Sequence, residues 1–341
     1  MIKINIKAIV TVTGFLGLTL LLTACATRNT SLEYPFTNPI VFRADDPWVI
    51  YDDRLGYDCY YYVWSGGDGV RIAVMDDFYK LSEVYNMQGR YIQAWKSEPG
   101  TDYSSEIWAP ELHFLNNRWY IYVAASNGQN ETHRMYVLES NTDNPMEGFT
   151  FTGKISPATD RWAIDGTVMQ YQGKMYFIWS GWEGAVNVAQ HLYIAEMESP
   201  VKFLSDRVKI SSPELEWELI GNPLINEGPV AIERNGLMHL MYSASGSWTD
   251  DYCIGLLTLT GSDPLDPQSW TKKHTPILSR KEGMYGPGHP SITRSRDGRE
   301  WLIYHANSFP RRGWRGRQGW AQLIMWDSDN YPIIYLPPVG R

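Results

Sequence analysis

Three acids stand at turns that each lead into an apolar strand: Asp46 in ADDPW, Asp165 in AIDGTV and Glu227 in NEGPV. Carboxyl groups gathered in one pocket can divide acid–base work, provided their surroundings make them titrate apart. An isolated acid in a turn is ordinarily a cap or a solvated residue. These three recur with a period, and the period makes them a candidate site. Together with Trp108 (EIWAPELH) and His289 (GPGHPS) they form five anchors, at intervals of 62, 57, 62 and 62 residues. Metal-assisted hydrolysis would require histidine pairs or clustered ligands instead. The one paired-aspartate candidate, Asp327-Ser328-Asp329, lacks the glycine and glutamate of a calcium loop and reads as a turn.

A second landmark runs in parallel with the anchors. YYVWS, YIYVAAS, MYFIWS, HLMYS and LIYHAN are centred on Ser65, Ser126, Ser180, Ser243 and His305, at intervals of 61, 54, 63 and 62 residues. A repeat of this length, built from short alternating strands, predicts an all-β, single-domain, five-bladed β-propeller. The first strand of each blade lines the central axis, so the residues opening those strands converge there. Hairpin signals between first and second strands recur at Asn116-Asn117, Gln172-Gly173, Asn235-Gly236 and Asp297-Gly298. No helix longer than a turn or two is expected.

Composition agrees with many tight turns around a packed core: 43% apolar residues, 29 Gly and 20 Pro spread along the chain. Most of the 15 Trp and 22 Tyr are expected between blades, and the remainder suit stacking on sugar rings. The formal net charge is −8, or −10 without Lys3 and Lys7. An acidic chain without a basic stripe argues against nucleic acid as a partner. The arginine-rich loop Arg311, Arg312, Arg315, Arg317 is too short to change this and reads as solvated.

Residues 1–25 read as a targeting segment, with Lys3 and Lys7 ahead of the apolar run Ala8–Leu22. Leu22-Thr23-Ala24-Cys25 resembles a bacterial lipoprotein box, in which Cys25 carries lipid and becomes the mature N-terminus. Ala26 is not the aspartate that retains such proteins at the inner membrane, so a periplasmic or surface location on the outer membrane is expected. Residues 26–37 then form a tether and 38–341 the propeller. Cys59 and Cys253 sit in apolar strands and read as two separate buried thiols.

The order ADDPW, IWAPELHFLNNRWYIYVAA, IDGTV, NEGP and GPGHPS resembles glycoside hydrolase family 43 across residues 38–332. HRMYVLE, LYIAEME and YCIGLLTL are similar to its branch of α-L-arabinofuranosidases and exo-acting arabinan-degrading enzymes. The resemblance implies an inverting hydrolase releasing arabinofuranose from arabinan, arabinoxylan or their oligosaccharides. Alternatives are a β-xylosidase of the same family, or a surface glycan-binding lipoprotein without turnover, which the three retained acids disfavour. By motif it implies Asp46 as general base, Glu227 as general acid and Asp165 as the residue that tunes and orients that acid. It also implies Trp108, His289 and Arg317 at the sugar pocket, with calcium near His289 on the axis. This chain departs from the pattern by carrying two aspartates, Asp45 and Asp46, where one is usual. Direct attachment to Pro47 favours Asp46, since alternation turns Asp45 to the other face, and a local bulge would reverse the choice. The roles fit inversion: one carboxyl must donate a proton while another activates water, and a third beside the donor raises its pKa by repulsion.

Overall fold

A computed structural model describes residues 36–84 and 91–336. The proposed leader, Cys25 and most of the tether lie outside the described residues. Strands dominate, and the only α-helix among the described residues is the single turn Leu81–Val84. No described helix is long and apolar enough to cross a membrane.

The strands form antiparallel meanders in chain order. The first comprises β1 to β4 (Trp48–Asp52, Cys59–Ser65, Gly69–Met75, Tyr91–Lys96), and the second β5 to β8 (Ser105–Leu115, Arg118–Ser126, Arg134–Ser140, Phe149–Ile155). In the third, β9 to β11 (Ala163–Tyr171, Lys174–Trp182, Ala189–Ser199) are flanked by the short β12 (Lys202–Phe203) and β13 (Val208–Ser211). The fourth holds β14 to β17 (Leu224–Arg234, Leu237–Ala244, Cys253–Leu259, Trp270–Lys272). A short parallel pairing of β11 with β14 joins it to the third. The last comprises β18 to β21 (Tyr285–Arg294, Glu300–Asn307, Gln318–Trp326, Pro332–Tyr335). Residues 38–41 return to this last sheet. Ile40 N–H donates to Gly319 O at 2.8 Å, and the Asn38 side chain bonds both backbone groups of Ala321. The beginning of the described chain is thereby tied to its end.

Three of the four expected hairpins have the two-residue form. Asn116-Asn117, Gln172-Gly173 and Asn235-Gly236 have positive φ at both positions, the conformation that matches strand twist. Asp297-Gly298 differs. Only Gly298 has positive φ, and Ser295–Arg299 forms a longer loop in which Asp297 caps the Ser295 hydroxyl and the Arg299 N–H. Between β1 and β2 the loop is longer still, which is why no two-residue signal occurs there.

The core lies between neighbouring sheets and is heavily aromatic, with Trp119, Trp301, Tyr60, Tyr61, Tyr62 and Tyr122 fully buried. Most tryptophans are therefore packing residues. Cys59 and Cys253 are free, buried thiols. Asp327-Ser328-Asp329 is a turn, in which Asp327 accepts the N–H groups of Asp329 and Tyr331.

Candidate active site

β5, β9, β14 and β18 each carry a bulge where two residues stand opposite one on the next strand, and β5 and β18 carry a second such shift nearer their start. The pairs that frame these bulges are Trp108 with Ala124, Ile164 with Ser180, Glu227 with Ser243 and Gly288 with His305. The residue following each framing residue is left-handed: Ala109 (φ 42°), Asp165 (56°), Gly228 (53°) and His289 (53°). Asp46, just ahead of β1, is left-handed as well, at φ 47°. Bulges with a left-handed residue re-aim side chains, and here they aim them at one another.

This register corrects one expectation. Asp46, Asp165 and His289 occupy the left-handed position, whereas Glu227 and Trp108 sit one residue earlier. The reason is steric: a Cβ on Gly228 would lie 3.2 Å from His289 Nδ1, in a conformation that disfavours side chains. The fourth meander must keep glycine there, so its acid moves back by one residue.

The side chains meet in a dense cluster. His289 Nδ1 lies 3.2 Å from Asp46 Oδ1 and 3.9 Å from Asp165 Oδ2. Arg317 Nη1 donates to Asp46 Oδ1 at 3.2 Å, and His305 Nδ1 is 3.3 Å from the same oxygen. Asp165 Oδ2 accepts the Gly228 N–H at 3.0 Å. Glu227 Oε1 accepts the Tyr252 hydroxyl proton at 2.9 Å, and the Tyr252 ring stacks on His305. Ser243 Oγ accepts the His289 N–H at 2.7 Å. Asp165, Glu227 and His289 are buried, while the Asp46 side chain keeps 19% of its surface open. Asp45 is 57% exposed and reaches the cluster only through Arg317 Nη1, at 3.6 Å.

Trp108 is half-buried and stacks face to face on His133, 3.9 Å between ring centres. Arg317 departs from the solvated reading of its loop. Its side chain is 10% exposed and turned inward, while Arg311, Arg312 and Arg315 stay outside. Two carboxylates recruit it.

The electrostatics separate the acids. Burial pushes Asp46 upward, but His289, Arg317 and His305 outweigh burial and hold its carboxyl well below the usual range. Both imidazoles are pushed down by burial, His305 to about 3, so the guanidinium is the permanent charge opposite Asp46. Glu227 moves the other way. Burial raises it to about 7, against the lowering effects of Tyr252 and Arg317. Asp165 is raised well above the ordinary value by burial, then by repulsion from Glu227 and Asp46. Two raised carboxyls beside an ionised one keep a proton in the cluster at neutral pH.

Tyr252, His305, Ser243 and Glu111 were not assigned from the sequence. His305 and Ser243 were visible as landmarks of the repeat without a role. Glu111 lies in the EIWAPELH motif, bonded to His113 Nε2 at 2.9 Å. Its carboxyl is raised well above the ordinary value by burial, with the Asp165 charge adding to the effect. Tyr252 had no periodic signal at all, and the signal for it was packing. A Cβ on Gly288 would collide with its ring at 2.0 Å, so glycine there makes room for the tyrosine that holds Glu227.

Among the described residues no group of three or more His, Cys, Asp or Glu could hold a metal. A calcium ion near His289 would find a single imidazole, a poor donor for it, and would rest mainly on water.

The sequence model of glycosyl hydrolases family 43 matches residues 36–332. An extracellular exo-α-(1→5)-L-arabinofuranosidase of Streptomyces avermitilis is 33% identical, covering 92% of this chain and 66% of that protein. The chain thus spans just under two thirds of that relative's length. A protein of the same description from Streptomyces chartreusis is 32% identical over 81% of this chain and 83% of its own. The crystal structure of an α-L-arabinofuranosidase from Lactobacillus brevis superposes with a TM-score of 0.79 at 31% identity, covering 87% of this chain and 95% of that one.

Proposed function

The chain belongs to glycosyl hydrolase family 43, and on that premise we propose that it is an inverting, exo-acting α-L-arabinofuranosidase. Its substrates would be arabinan, arabinoxylan or their oligosaccharides, and its five meanders the blades of a propeller around the site. One observation carries the reading: Asp46 is held low while Glu227, in the same cluster, is raised to about 7. Near neutral pH these are an ionised base and a protonated acid, the pair that inversion requires. The names of the relatives supply the sugar.

In this mechanism Asp46 takes a proton from water, and the water oxygen attacks the anomeric carbon. The bond to the leaving oxygen breaks as Glu227 delivers its proton there. Asp165, held by the Gly228 N–H, presses the Glu227 carboxyl toward its protonated form. Arg317 keeps Asp46 ionised, and Tyr252 orients Glu227. Trp108 offers a ring to the sugar. No step needs an ion. Should calcium bind, His289 is the side chain that would hold it, and it would stiffen the axis.

Product analysis on arabinan, arabinoxylan and xylo-oligosaccharides tests the proposal, with the first-formed anomer followed by NMR. Free arabinose of inverted configuration is expected. Xylose instead would make the protein a β-xylosidase, and retained configuration would remove the assigned roles. We also propose that lipid on Cys25 anchors the mature protein at the outer membrane. Release of a Cys25→Ala variant into the soluble fraction tests that anchor, and an unchanged membrane fraction would exclude it.

A further inference from the structure

The segment from Phe309 to Arg317 carries four arginines, of which only Arg317 enters the catalytic cluster. Arg311, Arg312 and Arg315 stay exposed. Among the described residues, no side-chain hydrogen bond or ion pair satisfies them. Several exposed arginines elsewhere are paired with carboxylates, as in Arg134 with Asp160 and Arg294 with Asp53. The three free guanidiniums and Arg280 border an open cavity of about 610 Å³ that Trp248 and Trp314 also line. Arg280 is paired with Asp251 at 3.0 Å, and Asp250 accepts the Arg311 N–H at 2.8 Å. Four guanidiniums against these two carboxylates leave the wall net positive, in a chain of net charge −8.

Of the fifteen tryptophans, Trp314 alone is exposed, at 58%. It is nonetheless held. Its ring meets Trp248 edge to face, and its Nε1 donates to Ser247 Oγ at 3.1 Å. The Ser247 hydroxyl is also near enough to Glu227 to help lower its pKa. The cavity wall Trp248–Asp251 runs directly into Tyr252, whose hydroxyl bonds the carboxyl assigned to protonate the leaving oxygen, and this places the cavity on the leaving-group side.

We propose that this cavity is a leaving-group subsite for a uronate-bearing saccharide. The Trp314 indole stacks on a pyranose ring, and the free guanidiniums pair with the ring's carboxylate, a geometry suited to their planar forks. A neutral sugar would use the indole and leave the cations idle. The assignment rests on the proposed glycosidase reading, because Glu227 marks the leaving-group side.

The test is calorimetric titration of the full-length protein with trigalacturonate and with its methyl ester, which keeps the skeleton and removes the charge. The acid should bind more tightly than the ester. Replacing Arg311, Arg312 and Arg315 together by alanine should weaken binding of the acid about tenfold, the combined worth of three exposed charge pairs. Trp314→Ala should weaken acid and ester alike. The ratio of kcat/KM on arabinofuranosides with uronate-bearing and with neutral leaving groups should also fall about tenfold in the triple variant. Equal binding of acid and ester, or acid binding unaltered in the triple variant, would overturn the subsite. Turnover of an aryl α-L-arabinofuranoside by the parent protein reports the glycosidase reading separately. Turnover without trigalacturonate binding removes the subsite alone, and its absence removes the premise.

Discussion

Glu227→Gln separates the chemical from the structural consequences of burying an acid. The glutamine keeps the shape of the side chain and can still accept the Tyr252 hydroxyl proton. In the parent, burial leads the rise of the Glu227 pKa from 4.5 to about 7. A folded-state pKa above the unfolded one means that the protonated carboxyl stabilises the fold fully below the unfolded pKa. That contribution is lost as pH rises through about 7. At 1.36 kcal/mol per unit, the loss is roughly 3 kcal/mol. Parent and variant should therefore be about equally stable near pH 4, with the variant ahead by roughly 3 kcal/mol near pH 9, in urea unfolding at each pH. Activity should move oppositely. Without the proton donor, sugar and alkyl leaving groups should lose about 10² to 10⁴-fold in kcat, while acidic phenols depart with far less loss. The parent's alkaline limb near pH 7 should vanish on the phenolic substrates. An equal loss on both leaving-group classes, together with a stability difference that ignores pH, would refute the assignment.

Asp46→Ala should reduce both substrate classes by at least about 10²-fold, since water activation is needed whatever departs, and added azide should restore part of the rate. No restoration, with Asp45→Ala equally damaging, would move the base to Asp45. Asp165→Asn removes a repelling charge from the acid, so the alkaline limb of its pH–rate profile should shift down by about one unit. An unmoved limb would leave Asp165 a purely structural role. Exhaustive chelation tests calcium: a lower melting temperature that added calcium restores is expected if the ion binds at His289, and unchanged melting and activity would remove it.

The repeat was open to reading because successive antiparallel meanders impose a period on local chemistry. Turn residues, β-branched runs and anchors recur wherever a sheet starts afresh, so five anchors and three two-residue hairpins followed from spacing. Asp46 and Asp165 were readable for the same reason, being short polar residues that tolerate the left-handed position a bulge demands. Glu227 was found as well, but its offset by one residue was not, because that depends on His289 occupying the space beside Gly228 from another strand. Only the tertiary structure decided which arginine of the loop faces inward. Nothing local distinguishes Arg317 from Arg311, Arg312 or Arg315, and burial of a guanidinium requires carboxylates from a segment some 271 residues away. Tyr252, which bonds Glu227, and the bond from Trp314 to Ser247 were hidden in the same way. A sequence records which groups are available at each turn. Which of them titrate together depends on desolvation and on distances that exist only after the sheets have closed on one another.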